Sequence, residues 1–115
     1  MNHASALGAF VERLDGRARL FTMSGSYGEV CAYLDGLDAA TGGGTMRAFG
    51  AWINGRGVGL PEWVWWNLVL ADLGTGRRSR DLASFTPEQH AEAIAHLFRL
   101  LREYLGTADP AGAGD

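Results

Sequence analysis

Residues 86–106 read TPEQHAEAIAHLFRLLREYLG and contain the clearest helix pattern in the chain. Thr86 and Gln89 have the spacing of a capping box, in which each side chain hydrogen-bonds the backbone amide of the other residue. Pro87 suits the first helical position, because the amide hydrogen that it lacks would have no partner there. The apolar stripe that follows consists of Ile94, Leu97, Phe98, Leu101 and Leu105. These features predict a long helix that buries one face and ends at Gly106.

The composition is that of one globular domain. The 115 residues fit a single domain, and a hydrophobic share of 47% excludes a disordered chain. A formal net charge of −3 argues against a dedicated binder of nucleic acid or anionic membranes. The longest apolar run, residues 63–71, is shorter than the about 20 residues of a membrane span. Cys31 is the only cysteine, which excludes an internal disulfide and gives no reason to expect secretion, so we expect a cytoplasmic location.

Four further segments have helical signals, over about 4–14, 27–40, 46–54 and 61–73. We therefore expect a mostly α, single compact domain of about five helices over residues 1–106. At most a short extended segment is expected near residues 17–23, and residues 107–115 are expected to form a flexible C-terminal tail.

Local signals predict where the second and third helices begin and end. Ser26 and Glu29 match a capping box in which the Glu29 carboxylate reaches back to the Ser26 amide. The glycines at 42–44 should stop the second helix, and Thr45 should cap the third. Gly36 inside the second helix costs about 1 kcal/mol relative to alanine, which a close helix–helix approach would explain.

The segment 61–73 is apolar almost throughout, so its periodicity does not separate a buried helix from a buried strand. Pro61 at a first helical position and Gly74 at the far end favour a helix. The strand remains the alternative.

No group of residues indicates a reaction. His90, Glu92 and His96 are types that bind metals, but only Glu92 and His96 have the spacing of a helical metal pair, and a third ligand is missing. We instead expect a solvated helix face made of Glu92, His96, Arg99, Arg102 and Glu103. Cys31 lies on an apolar stripe without an adjacent activating group, so we expect a structural role. The sequence thus predicts no enzymatic activity, no metal and no cofactor.

The four tryptophans are the least expected feature of the composition. Trp63, Trp65 and Trp66 cannot all face one side of a helix, since residue 65 points well away from residue 63. At least one should reach the surface or another element, where tryptophan is enriched at binding hot spots. The alternative is that all four fill the core.

Asp38 falls near the apolar stripe of its helix, so its carboxylate must lie at a helix end, in a pocket or in a pair. Arg47 or Arg56 could be the partner. The candidate binding residues are Asp35, Asp38, Trp52, Arg56, Trp63, Trp65 and Trp66.

The middle of the chain resembles small actinobacterial proteins thought to act as immunity proteins for secreted toxins. The resemblance covers about residues 20–70 and lies in Tyr33–Ala40, Phe49–Ile53, Arg56–Gly57 and Asn67 after a tryptophan. It implies a small intracellular protein that binds and blocks, one to one, a toxin made by the same cell. The absence of lysine beside ten arginines indicates a GC-rich genome, in keeping with such a source. The negative net charge would steer the protein towards a basic toxin domain.

A second function is predicted from the tryptophans alone. Trp52, Trp63 and Trp66 could line a pocket between helices, as in a small-molecule-binding or accessory protein. Exposed tryptophans could also join two copies of the chain as a homodimer. Neither function involves nucleic acid or a membrane.

Overall fold

The structure, a computed structural model, describes residues 3–14, 16–17, 22–57 and 63–108. The described residues are mostly helical and contain no strand, as the sequence predicts. The helices are α1 (His3–Leu14), α2 (Tyr27–Ala40), α3 (Thr45–Asn54), α4 (Trp65–Leu73), a 3-10 helix (Ser79–Ser84) and α5 (Pro87–Ala108). The Cα radius of gyration is 13.6 Å, close to the about 13 Å of a compact 100-residue domain. The predicted single compact helical domain is confirmed.

The central helix is α5, which packs against each of the other four α-helices. Its predicted capping box is confirmed: the Thr86 hydroxyl accepts from the Gln89 amide at 3.1 Å, and Gln89 Oε1 accepts from the Thr86 amide at 2.8 Å. The predicted stripe is buried, apart from Leu105 at its partly buried end. The helix continues through Gly106 to Ala108, beyond its predicted end, and residues 109–115 of the predicted tail lie outside the described residues.

The start of α2 is held at three points. Ser26 caps the helix as predicted, since its hydroxyl accepts from the Glu29 amide at 3.2 Å. The Glu29 carboxylate reaches further back than predicted, to the amide and hydroxyl of Ser24 at 2.7 Å each, and these bonds lower the pKa of Glu29. The Tyr27 amide donates to His90 Nδ1 at 3.0 Å, which ties the start of α2 to the first turn of α5.

The cap of α3 differs from the prediction. Thr45 is the first residue inside the helix, and Gly44, which has no side chain to accept a hydrogen bond, occupies the N-cap position. The carboxylate of Asp38 on α2 takes that role, because it accepts from the amides of Thr45 at 3.2 Å and Met46 at 3.0 Å. Three consecutive positive φ angles, at residues 42–44, turn the chain sharply enough to bring the end of α2 to the start of α3.

The segment that was ambiguous between helix and strand forms the helix α4. Pro61 lies outside the described residues, but Trp63 and Val64 are not helical, so the prediction that the helix begins at Pro61 is wrong. The later start at Trp65 leaves Trp63 off the helix, where its ring lies 4.1 Å below the guanidinium of Arg78. This is a cation–π contact, and it forms with Trp63 outside the helix.

Two helices approach closely at Gly50, where α3 meets α4. A Cβ added at Gly50 would lie 3.1 Å from the Cβ of Trp65, so Trp65 would have to move by a few tenths of an ångström to admit a side chain. Gly36 is exposed on α2, and nothing lies within 4 Å of a Cβ added to it. The expectation that Gly36 permits close packing is therefore wrong.

The connections complete the fold. Gly16 and Gly74 follow α1 and α4 with the positive φ angles that are typical of glycines at helix ends. The polar loop after α4 contains the 3-10 helix, whose Leu82 packs against the core together with Phe85. Residues 18–21 of the predicted extended segment lie outside the described residues. None of the described helices is both long and apolar enough to cross a membrane.

Candidate binding cleft

A cleft of about 580 Å³ opens between α2, α3 and the start of α4. Its lining includes five predicted binding residues, Asp35, Asp38, Trp63, Trp65 and Trp66. Helix α3 contributes Met46, Arg47, Gly50, Ala51 and Asn54. We call this site the tryptophan cleft.

Trp65 is the anchor of the tryptophan cleft. Its side chain is only 6% exposed, and its ring packs edge-on against Trp66 with ring centroids 5.5 Å apart. The indole Nε1–H donates to Oδ1 of Asp35 at 2.9 Å, which fixes the carboxylate at the cleft wall. Trp63 and Trp66 are half-buried, so part of each ring remains accessible to a ligand.

The two carboxylates of the cleft differ in their electrostatic surroundings. Asp38 is 6% exposed, and the positive end of the α3 dipole compensates its charge. Asp35 is half-buried, and its indole donor is neutral and supplies no counter-charge. Within the described ranges, no arginine or histidine forms an ion pair with Asp35. Asp35 is therefore the carboxylate of the cleft without a direct cationic contact among the described side chains, although the exposed Arg47 lines the same cleft.

A second cleft, of about 370 Å³, adjoins the first and is mostly apolar. Asp35 and Trp66 line both clefts. The remaining lining residues of this apolar cleft are Tyr27, Gly28, Cys31, Ala32 and Leu82.

Tyr27 and Cys31 at the base of the apolar cleft are buried and unreactive. The Tyr27 hydroxyl donates to the carbonyl oxygen of Trp66 at 2.8 Å, and burial, followed by the neighbouring Cys31, raises the pKa of Tyr27 well above its usual 10.0. Burial likewise raises the pKa of the Cys31 thiol. A protonated thiol is a poor nucleophile, so Cys31 acts as a small apolar side chain, as the sequence predicts.

Trp52 and Arg56, the other two predicted binding residues, lie outside the tryptophan cleft. The Trp52 ring packs against Phe49 and Tyr104, with centroids 6.2 Å and 5.7 Å away. Arg56 lies over Trp52 at 5.4 Å and pairs with Asp72 at 3.1 Å, so it is not the partner of Asp38. The expected pocket of Trp52, Trp63 and Trp66 therefore forms without Trp52.

His96 was expected on the solvated face of α5 but is 7% exposed. Its Nε2 lies 2.8 Å from the buried Asp72 carboxylate of α4, and Nδ1 contacts the guanidinium of Arg99. These contacts hold the ring inward, a position that helical periodicity alone does not reveal. Across the described part of the chain, no three His, Cys, Asp or Glu side chains are grouped to hold a metal ion.

The sequence did not identify the contribution of α3 to the cleft. Arg47, Gly50, Ala51 and Asn54 recur at helical spacing and form one face of small and polar residues. Such a face is typical of the exposed side of an amphipathic helix, so periodicity alone does not separate a cleft wall from open surface.

No protein-family model, curated protein or solved structure matches the chain.

Proposed function

We propose that the protein is a small binding protein that neutralises a cognate bacterial toxin, one to one, through the tryptophan cleft. The observation that carries the proposal is the meeting of Trp63, Trp65, Trp66 and Asp35 in one open cleft. Binding energy in protein complexes concentrates in a few tryptophan, tyrosine and arginine contacts seated in pockets. The tryptophans of the cleft are residues of this type, and in this proposal they belong to the inhibitor.

Two further observations support this proposal. The cleft residues Asp35, Asp38, Gly50 and Ala51 come from the segments that resemble immunity proteins. The net charge of −3 favours encounter with a basic partner at low ionic strength. A cytoplasmic location fits an inhibitor that protects the cell in which the toxin is made. No step of this function requires catalysis or a cofactor.

The test uses the products of the genes beside this one. A toxic neighbouring product should stop growth alone and permit growth when this chain is co-expressed. The purified pair should form a one-to-one complex by size-exclusion chromatography with light scattering. Absence of both rescue and complex formation with every neighbouring product would refute the proposal.

A matched pair of variants tests the surface used. Trp63 and Trp52 are both half-buried rings below an arginine, but only Trp63 lines the cleft. Trp63→Ala should weaken the complex at least about tenfold, the scale of a hot-spot residue. Trp52→Ala should leave affinity nearly unchanged, provided circular dichroism shows that both variants fold. An equal loss in both variants would argue against the cleft.

The second candidate is a small-molecule-binding or accessory protein that uses the same cleft. Its volume of about 580 Å³ lies within the about 300–1,000 Å³ of ligand pockets. Saturable quenching of tryptophan fluorescence by a small ligand, with no partner protein present, would favour this candidate over the first.

A further inference from the structure

We propose that the tryptophan cleft receives an arginine or lysine side chain of the partner, and that the apolar cleft receives a large apolar residue beside it. This inference rests on the proposed function, because it names the chemistry of the partner segment that the same cleft would bind.

The charge at Asp35 is the first argument. Its carboxylate accepts one hydrogen bond, from the neutral indole of Trp65, and has no cationic partner among the described side chains. Asp38 is compensated by the amides at the start of α3, so it does not compete for a ligand. A guanidinium or ammonium group next to Asp35 would supply the missing counter-charge through a charge-assisted hydrogen bond.

The aromatic walls are the second argument. Cations bind favourably to the faces of tryptophan rings. The guanidinium of Arg78 lies over the ring of Trp63, 4.1 Å from its centroid, so one cleft tryptophan already makes a cation–π contact. The cleft thus combines a carboxylate with accessible indole surface, a combination suited to a cation on an organic stem.

Arg47 is the opposing charge in this cleft. Its side chain is exposed, so water and salt screen it more strongly than they screen the half-buried Asp35. Its repulsion should weaken cation binding without preventing it. Arg47→Gln is therefore expected to strengthen binding of a basic ligand.

The junction of the two clefts gives the second half of the inference. Because Asp35 and Trp66 line both, a segment with a cation at Asp35 has the apolar cleft immediately beside it. That cleft is walled by Cys31, Ala32 and Leu82 and offers little polar surface. A large apolar residue adjacent to the basic one would occupy it.

The first experiment separates charge from shape. The probes are the capped tetrapeptides Gly-Phe-Arg-Gly and Gly-Phe-citrulline-Gly, which are nearly isosteric but differ in charge. Binding is followed by the NMR shift of the Trp65 indole N–H, which donates to Asp35. The arginine peptide should bind at least about tenfold more tightly than the citrulline peptide, the scale of a hydrogen bond to a charged group. Equal affinities, or a shift with neither peptide, would overturn the proposal.

Two pairs of variants locate the contacts. Asp35→Asn keeps an acceptor for the Trp65 indole but removes the charge, so it should abolish the preference for the arginine peptide. The control is Glu92→Gln, which also replaces a carboxylate by an amide, on the exposed face of α5. This control should retain the preference for the arginine peptide. Ala32→Phe should fill the apolar cleft and weaken Gly-Phe-Arg-Gly but not Gly-Gly-Arg-Gly. Ala39→Phe, on the same helix and outside both clefts, is its control. Loss of binding in a control as large as in its partner would overturn the assignment.

The outcomes also distinguish this inference from the proposed function. A one-to-one toxin complex that is insensitive to Asp35→Asn would overturn the inference and leave the proposed function standing. Arginine-selective peptide binding without toxin neutralisation would support the inference and refute the proposed function.

Discussion

The carboxylate of Asp38, near the end of α2, caps α3 through the backbone amide of Met46, with Oδ2 3.0 Å from the nitrogen. Oδ1 accepts from the preceding amide, of Thr45, at 3.2 Å. The first amides of a helix have no partner within the helix, and the N-cap residue here, Gly44, has no side chain to offer. A residue of one helix therefore completes the next, and the wall of the tryptophan cleft depends on that contact.

Asp38→Ala should lower the free energy of unfolding by about 2–3 kcal/mol, because two buried amides lose a charged acceptor. Asp38→Asn should cost less, since the amide side chain retains one acceptor oxygen. Urea denaturation followed by circular dichroism measures both changes. Glu103→Ala, which removes an exposed carboxylate from α5, is the control. If Asp38→Ala matched Glu103→Ala, the cap would contribute nothing to stability.

Local patterns were sufficient where both partners of an interaction are close in sequence. The Thr86–Gln89 box and the Ser26 cap each join residues three positions apart, and both were predicted. The partner of Asp38 could not be predicted in the same way, because it depends on a turn of three glycines whose positive φ angles the sequence allows but does not require. The sequence did establish that this carboxylate needed a partner, with a helix end among the alternatives.

The candidate site was predicted in part, for a similar reason. Asp35, Trp63, Trp65 and Trp66 were identified as binding residues, and the structure places them in one cleft. Helix geometry accounts for the absence of Trp52, which lies about 150° around α3 from the mean direction of Arg47, Gly50, Ala51 and Asn54, at 100° per residue. The apolar cleft could not be foreseen, since Leu82 reaches it from a 3-10 helix that lies outside the five segments with helical signals.

Tyr27 should make stability sensitive to alkaline pH. Burial raises its pKa in the folded protein, while in the unfolded chain the phenol ionises near its usual pKa of 10.0. The contribution of this group is therefore full below about pH 10 and is lost as the pH rises above that value, because only the unfolded state releases the proton. Urea midpoints measured from pH 8 to 11 should fall less steeply in Tyr27→Phe than in the wild type. Cys31 is present in both proteins, so parallel curves would contradict the role assigned to Tyr27.

At neutral pH the same variant should show a modest loss. Tyr27→Phe removes the hydrogen bond to the carbonyl of Trp66, and a typical buried bond contributes about 1 kcal/mol. The fluorescence of the cleft tryptophans should change as well, because this bond holds the first turn of α4 against α2. An unchanged emission spectrum together with unchanged stability would show that the bond is not needed.

The pair of His96 and Asp72 should act as an energetic unit between α5 and α4. Both side chains are 8% exposed, and Nε2 lies 2.8 Å from Oδ2. His96→Leu leaves the carboxylate with Arg56 alone, so we expect a loss of about 2–3 kcal/mol, below the about 3–5 kcal/mol of a fully orphaned buried charge. The double variant His96→Leu/Asp72→Asn should be less destabilised than the sum of the two single changes, as a double-mutant cycle in urea would measure. Strict additivity would show that the two side chains are not coupled.

Two glycines inside helices should respond to substitution with opposite sign. At Gly36 on α2, a Cβ meets nothing within 4 Å, so Gly36→Ala should stabilise the protein by up to about 1 kcal/mol through helix propensity alone. At Gly50 on α3, a Cβ would lie 3.1 Å from the Cβ of Trp65, which belongs to the first turn of α4 and is held by its bond to Asp35. Gly50→Val should therefore cost about 1–3 kcal/mol as overpacking, and it should shift the NMR signal of the Trp65 indole because the cleft wall must move.

Gly36→Val serves as the control for the lower helix propensity of a β-branched residue. If Gly50→Val were no more destabilising than Gly36→Val, the tight contact between α3 and α4 would be refuted, and with it the rigidity of the cleft that the binding proposals require.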